Sequence, residues 1–252
     1  MRTPVIAGNW KMNTTIFEAK QLVSEMRTEL ELLKNTEIII CPPFISIPAI
    51  KELLEGSSIK TGAQNMCFAI KGAYTGEISP LMLHGLCEYV ILGHSERRIY
   101  FAETDEIINS KIQNASKHNL KPIICVGESL TEKEAGKTEK ILSKQLEKGL
   151  REIVQTRDLL IAYEPLWAIG TGMAASGEEA NVTIKFIREK MAQIWSNSIA
   201  EDLRILYGGS VKADNIIEFI SQTDIDGVLV GGASLKAQEF ISIASQIADY
   251  RK

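Results

Sequence analysis

Leu159-Leu160-Ile161-Ala162-Tyr163-Glu164-Pro165-Leu166-Trp167-Ala168-Ile169-Gly170-Thr171-Gly172 joins an apolar run to a carboxylate and then to a glycine-bearing loop. Leu159 to Ala162 is short and continuously apolar, the pattern of a strand covered on both faces. Pro165 keeps Glu164 in the extended region, so the acid closes a strand instead of entering a helical turn. Beyond it, Leu166, Trp167 and Ile169 give the loop its own apolar cover, while Gly170 and Gly172 let the backbone bend and approach a ligand. The stretch reads as a strand-end base followed by a lid. An isolated Glu at a strand end is ordinarily a solvated surface group, so the reading needs support from the rest of the chain.

That support is a repeat of the same unit. Apolar runs recur at Val5 to Ala7, Ile38 to Cys41, Ile59 to Ala63, Tyr89 to Leu92, Pro122 to Val126, Leu159 to Tyr163, Arg204 to Tyr207 and Gly227 to Val230. Between them lie helical patterns at Ile16 to Leu33, Ile47 to Leu54, Leu81 to Leu86, Asp105 to His118, Thr138 to Ile153, Glu178 to Trp195, Asn215 to Ile220 and Ala237 to Tyr250. Ile16, Ala19, Val23, Met26 and Leu30 mark one buried helical stripe, and Ser176 with Glu179 has capping-box spacing. Strand alternating with helix implies a parallel sheet with right-handed crossovers. Eight such units in 252 residues, without a Pro/Gly/Ser linker between halves, predict an α/β fold: a closed eight-stranded parallel (β/α)8 barrel, residues 1–252 forming a single domain.

Composition narrows the function. With 28 Lys and Arg against 32 Asp and Glu, the net charge of -4 gives no basic surface for nucleic acid. No apolar run nears the roughly 20 residues that span a bilayer, and Met1 to Pro4 leads straight into a strand, so the expectation is a cytoplasmic protein without a membrane partner. The four cysteines, Cys41, Cys67, Cys87 and Cys125, lack CxxC spacing and read as reduced, semi-buried thiols.

In a closed barrel the chemistry belongs at the C-terminal strand ends. After the first strand, Asn9 and Lys11 share one direction and Trp10 the other, which puts an ammonium at the rim. After the fourth, His94 begins a helical turn whose positive end disfavours imidazolium; a neutral ring there can donate a hydrogen bond to a carbonyl oxygen. His84 and His118 lie on helical segments and read as structural. After the seventh and eighth come Gly208-Gly209-Ser210 and Gly231-Gly232, glycine pairs whose backbone N–H groups can converge on an anion, phosphate by preference.

Taken together, Gly8-Asn9-Trp10-Lys11-Met12-Asn13, Gly62-Ala63-Gln64-Asn65, Gly72-Ala73-Tyr74-Thr75-Gly76-Glu77, Gly93-His94-Ser95-Glu96-Arg97-Arg98, Cys125-Val126-Gly127-Glu128, the Glu164 stretch and both glycine pairs closely resemble the triosephosphate isomerase family. The resemblance implies a TIM barrel and the reversible isomerisation of dihydroxyacetone phosphate and D-glyceraldehyde 3-phosphate through an enediol or enediolate, in glycolysis and gluconeogenesis, with no metal or organic cofactor. It assigns Glu164 as base, His94 as electrophile, Lys11 as fixed positive charge, Asn9 beside it and Glu96 holding the lysine. It gives the substrate to Asn9 and Lys11 and its phosphate to Gly170, Ser210, Gly231 and Gly232, and makes Pro165, Leu166, Trp167, Ala168, Ile169, Gly170, Thr171 and Gly172 the lid. It also implies a homodimer, in which the loop between Cys67 and Ser79 enters a second subunit and brings Thr75 near the other site. Leu166 stands where Val is familiar and Met173 where Lys is, a difference bearing on lid motion. A metal-dependent sugar-phosphate epimerase and an inactive barrel used for adhesion are the competing readings.

Overall fold

The computed structural model describes residues 2–168 and 175–251. Eight strands form one closed barrel in sequence order: β1 (Val5–Asn9), β2 (Glu37–Cys41), β3 (Lys60–Ala63), β4 (Tyr89–Leu92), β5 (Lys121–Val126), β6 (Leu160–Tyr163), β7 (Arg204–Tyr207) and β8 (Gly227–Val230). Every pairing is parallel, and β1 closes the circle against β8. Each strand overlaps one of the eight apolar runs, so continuous hydrophobicity marked strands buried on both faces.

Alternation divides the strand side chains between two cores. Val5, Ala7, Ile39, Cys41, Tyr89, Ile91, Ile123, Cys125, Leu160, Ala162, Leu206 and Leu229 pack with one another and fill the barrel, leaving no channel. The intervening residues, Ile6, Ile38, Ile40, Val90, Leu92, Ile124, Ile161, Ile205 and Val228 among them, pack outward with helix residues such as Val23, Met26, Ile112, Leu146, Ile184 and Ile247. At the floor, the Tyr89 hydroxyl donates to Glu37 at 2.5 Å and Arg204 pairs with the same carboxylate, which is why a strand that is otherwise apolar opens with Arg.

Helices cover the outside where the periodicity places them, from Ile16–Glu31 to Ala237–Tyr250. Ser176 and Glu179 make the expected capping box. Two short helices, Leu130–Glu134 and Asn197–Asp202, were not legible from period, because five or six residues show too few turns. His84 and His118 stand at the residues just after their helices. All four cysteines are unpaired and buried, more deeply than semi-buried thiols would be.

One glycine is fixed by packing. Gly227, at φ +151, would bring a Cβ to 1.9 Å from the Val5 carbonyl oxygen across the β1–β8 closure. Gly227→Ala is expected to cost at least about 2 kcal/mol, lowering the melting temperature by roughly 4–8 °C for a domain of this size, as calorimetry would show.

Candidate active site

The inward direction of each strand runs on to its last residue and past it, and the site is built from those positions. At the end of β1, Asn9 is buried and accepts a hydrogen bond from the Lys11 backbone N–H at 3.1 Å, while Trp10 packs with the helices. Lys11 sits at φ 56, an uncommon conformation for a residue with a side chain. Its carbonyl is held by the Gln64 amide at 2.9 Å, and the same amide donates to the Cys41 carbonyl. The Lys11 ammonium meets Glu96 at 2.6 Å.

Beyond β4, Gly93 takes φ +74, and His94 caps the helix Ser95–Tyr100, its Nδ1 accepting the Glu96 N–H at 3.3 Å. An accepting Nδ1 leaves the proton of a neutral ring on Nε2. That nitrogen lies 2.9 Å from Glu164 Oε1, and the other carboxylate oxygen accepts the Ser95 N–H at 2.9 Å. Glu164 is only 2% exposed. Its own N–H donates to the Val126 carbonyl, and Gly127 and Gly208 stand close to it, the first against its backbone and the second against its side chain. A Cβ at Gly127 would stand 1.8 Å from the Glu164 carbonyl oxygen, and one at Gly208 3.0 Å from its Cγ.

Electrostatics binds the two residues. Burial alone would raise the Glu164 pKa, but the charge and hydrogen bond of His94, the Ser95 N–H and the charge of Lys11 bring it below the ordinary 4.5. Burial pulls His94 down, yet the Glu164 carboxylate outweighs it and holds the imidazole above its ordinary 6.5. Sequence reasoning identified the helix N-terminus, which favours the neutral ring, and missed this opposing influence, because nothing in the chain order puts Glu164 against His94.

Asn9, Lys11, His94, Glu164, Gly208, Gly209, Ser210, Gly231 and Gly232 line one cavity of about 460 Å³. Glu96 reaches the ammonium from outside that lining, and Thr75 lies on an exposed loop elsewhere. At the start of the stretch expected to be a lid, Leu166–Ala168 forms a short helix, and Trp167 donates from its indole to the buried Glu128 at 2.9 Å, as Tyr163 does from its hydroxyl at 3.1 Å. Ile169, Gly170, Thr171, Gly172 and Met173 lie outside the described residues. Sequence reading had no signal for the Ser95 N–H contact, and it quoted Gln64 and Glu128 without finding their work. Among the described residues no group of three or more His, Cys, Asp or Glu side chains is placed to hold a metal ion.

Comparison with known proteins agrees in one direction. A family model described as triosephosphate isomerase matches residues 4–247. A Dehalococcoides mccartyi protein named triosephosphate isomerase is 56% identical over 248 residues, covering 98% of each chain. Proteins of the same name from Clostridium tetani and Clostridium botulinum are 54% and 52% identical, covering 97% of this chain and 97% and 100% of theirs.

The paired shifts set a pH signature. Glu164, with a lowered pKa, contributes stability above its ordinary 4.5 that is lost as pH falls through the folded value; His94, with a raised one, contributes below its ordinary 6.5 and loses it as pH rises through the folded value. Thermal unfolding of wild type and Glu164→Gln should therefore differ most between roughly pH 4.5 and 6.5 and converge on either side. A difference independent of pH would contradict the coupling.

Proposed function

The chain belongs to the triosephosphate isomerase family, and we propose from that premise that Glu164, His94 and Lys11 carry its reaction, the reversible isomerisation of dihydroxyacetone phosphate and D-glyceraldehyde 3-phosphate. The observation that supports this most is the single cavity in which a buried carboxylate, an imidazole proton and an ammonium face the glycine pairs after β7 and β8.

On this reading the phosphate takes backbone N–H groups at Gly231 and Gly232 with Ser210, and at Gly170 in the lid, since side-chain-free backbone approaches an anion closely. Glu164 removes a proton from the carbon bearing the hydroxyl and returns it to the neighbouring carbon. The charge that develops on the carbonyl oxygen is met by the His94 Nε2 proton and by Lys11, whose positions are fixed before reaction begins. Glu164 and His94 now touch at 2.9 Å, so the substrate must part them, which removes the influence that raises the imidazole pKa. A neutral ring then polarises the carbonyl, as this family itself exemplifies. Proton transfers between oxygen and carbon with two fixed donors call for no metal or organic cofactor, so activity should survive a strong chelator, unlike that of a metal-dependent epimerase. Closure of the lid, Pro165 to Gly172, would exclude water from an enediolate prone to lose phosphate.

We propose further that the chain acts as one domain and as a homodimer. Met12, Phe17, Ile45, Leu81, Met82, Tyr100 and Phe101 are exposed on the segments that follow β1 to β4, one continuous side of the barrel, where a second copy would cover them. The loop between Cys67 and Ser79 is closed at its base by the Cys67 N–H to the Ile78 carbonyl at 2.7 Å. It is stiffened by Phe68 against Tyr74, a projecting shape suited to insertion. The family's place in glycolysis and gluconeogenesis carries the proposal to the cytoplasm. No helix among the described residues is long and apolar enough to cross a membrane.

A coupled assay with purified protein should show interconversion of the two triose phosphates. Glu164→Asp, which retracts the carboxylate by one methylene, should lower turnover by about 10²-fold or more while substrate still binds; wild-type turnover would overturn the base assignment. Thr75→Arg, by placing a charge in the dimer contact, should shift sedimentation to the monomer and reduce activity with it. A monomeric wild type would end the dimer proposal.

A further inference from the structure

The motif that carries His94 ends in Arg97 and Arg98, and the reaction scheme gives neither a task. Arg97 is explained locally: it pairs with Glu103 at 2.5 Å and lies over the Phe101 ring. Arg98 is different, because all three of its nitrogens are committed at the barrel mouth. Its Nε donates to the Gly93 carbonyl at 2.8 Å, one terminal nitrogen to the Cys125 carbonyl at 3.3 Å, and the other to Asp105 at 2.6 Å.

These partners matter by position. The ladder between β4 and β5 ends at Leu92 paired with Ile124, so Gly93 and Cys125 are the next step, where strand-to-strand hydrogen bonding has stopped. The guanidinium bridges the two carbonyls and ties the end of β4 to β5 one step beyond their ladder. The Gly93 carbonyl belongs to the peptide unit that ends at the His94 nitrogen, and a peptide unit is planar; fixing its oxygen fixes the plane from which the imidazole projects. On the other side, Cys125 directly precedes Val126, whose carbonyl accepts the Glu164 N–H at 2.8 Å. Asp105, the first residue of the helix Asp105–Lys117, anchors the fork.

We propose that Arg98 is a positioning residue for the reaction, setting the His94 imidazole against Glu164 by clamping the carbonyls of Gly93 and Cys125. The assignment rests on the reading that His94 and Glu164 act together on the substrate. Only a planar fork serves, since an ammonium on a flexible stem cannot span two carbonyls and a carboxylate in one plane.

The test compares Arg98→Lys, Asp105→Asn and His94→Gln with wild type. It reads kcat and KM in the coupled assay, folded fraction by circular dichroism, and the titration of the His94 ring by nuclear magnetic resonance, which is tractable with three histidines in the chain. In Arg98→Lys, kcat should fall by about 10²-fold, the scale of a small misplacement of reacting groups. KM should change little, because the phosphate loops after β7 and β8 are untouched, and the His94 titration should move down toward 6.5 as its contact with Glu164 loosens. Asp105→Asn should move the same quantities in the same direction by less. An Arg98→Lys enzyme with wild-type kcat and His94 titration overturns the proposal, as does a loss of activity no greater than the loss of folded protein. If Arg98→Lys does not fold, Asp105→Asn decides alone, and wild-type kcat with an unmoved His94 titration overturns the proposal. Wild-type turnover in His94→Gln would remove the role of His94 itself, and that of Arg98 with it, a result distinct from failure of the clamp alone.

Discussion

Closing eight parallel strands into one barrel fixes an inside and an outside for every strand residue, and the molecule depends on that constraint. Because side chains alternate, the inward set is decided once the register is set. Below the mouth it is apolar and packs solid, from Val5 and Ala7 to Leu229. At the mouth the same alternation reaches Asn9 and Lys11 on one strand, Glu164 on another, and Gly127, Gly208 and Gly231 on others. Gly208 and Gly231 leave the space that the polar groups share, and Gly127 makes room for the Glu164 backbone. The cavity is therefore a consequence of the packing rule that fills the core, with the residue types changed at the last step.

The chemistry placed there is costly to hold. A buried ionised group loses several kcal/mol of hydration unless partners replace it, and Glu164 has two, the His94 ring and the Ser95 N–H. The consequence is a carboxylate that favours its ionised form despite burial, the form the proposed base requires, and an imidazole drawn toward its charged form so long as that carboxylate is its neighbour. In the proposed reaction the substrate replaces that neighbour, so the resting and the working electrostatics would differ.

Strain and support are arranged around these groups. Lys11 occupies a positive φ that costs about 1–2 kcal/mol for a residue with a Cβ, and the amides of Asn9 and Gln64 hold its peptide on either side. Gly127 admits the Glu164 backbone where a side chain would collide with its carbonyl, and Gly208 lies close against the Glu164 side chain. Glu128, its pKa raised by burial, ties Trp167 and Tyr163 together at the base of the proposed lid. The proposed reacting groups come from three residues, whereas their placement draws on neighbours from several strands.

The order of elements was legible in the residues themselves, because strands buried on both faces and amphipathic helices each leave a local period: all eight apolar runs became strands, and Ser176 and Glu179 capped their helix. The short helices at Leu130–Glu134 and Asn197–Asp202 were hidden, although Ser129 with Glu132 makes a capping box and Ser196 caps the other, signals that only a search for caps would have found. The sequence also determined that an ammonium, an imidazole and a carboxylate stand at strand ends, since that depends on which residue follows each run. Tertiary structure alone decided that Glu164 meets His94 at 2.9 Å, that Ser95 supplies a backbone donor, and that Arg98 bridges β4 and β5. Those contacts join residues remote in the chain or backbone atoms common to every residue, and a linear pattern carries no trace of either until closure of the barrel brings them together.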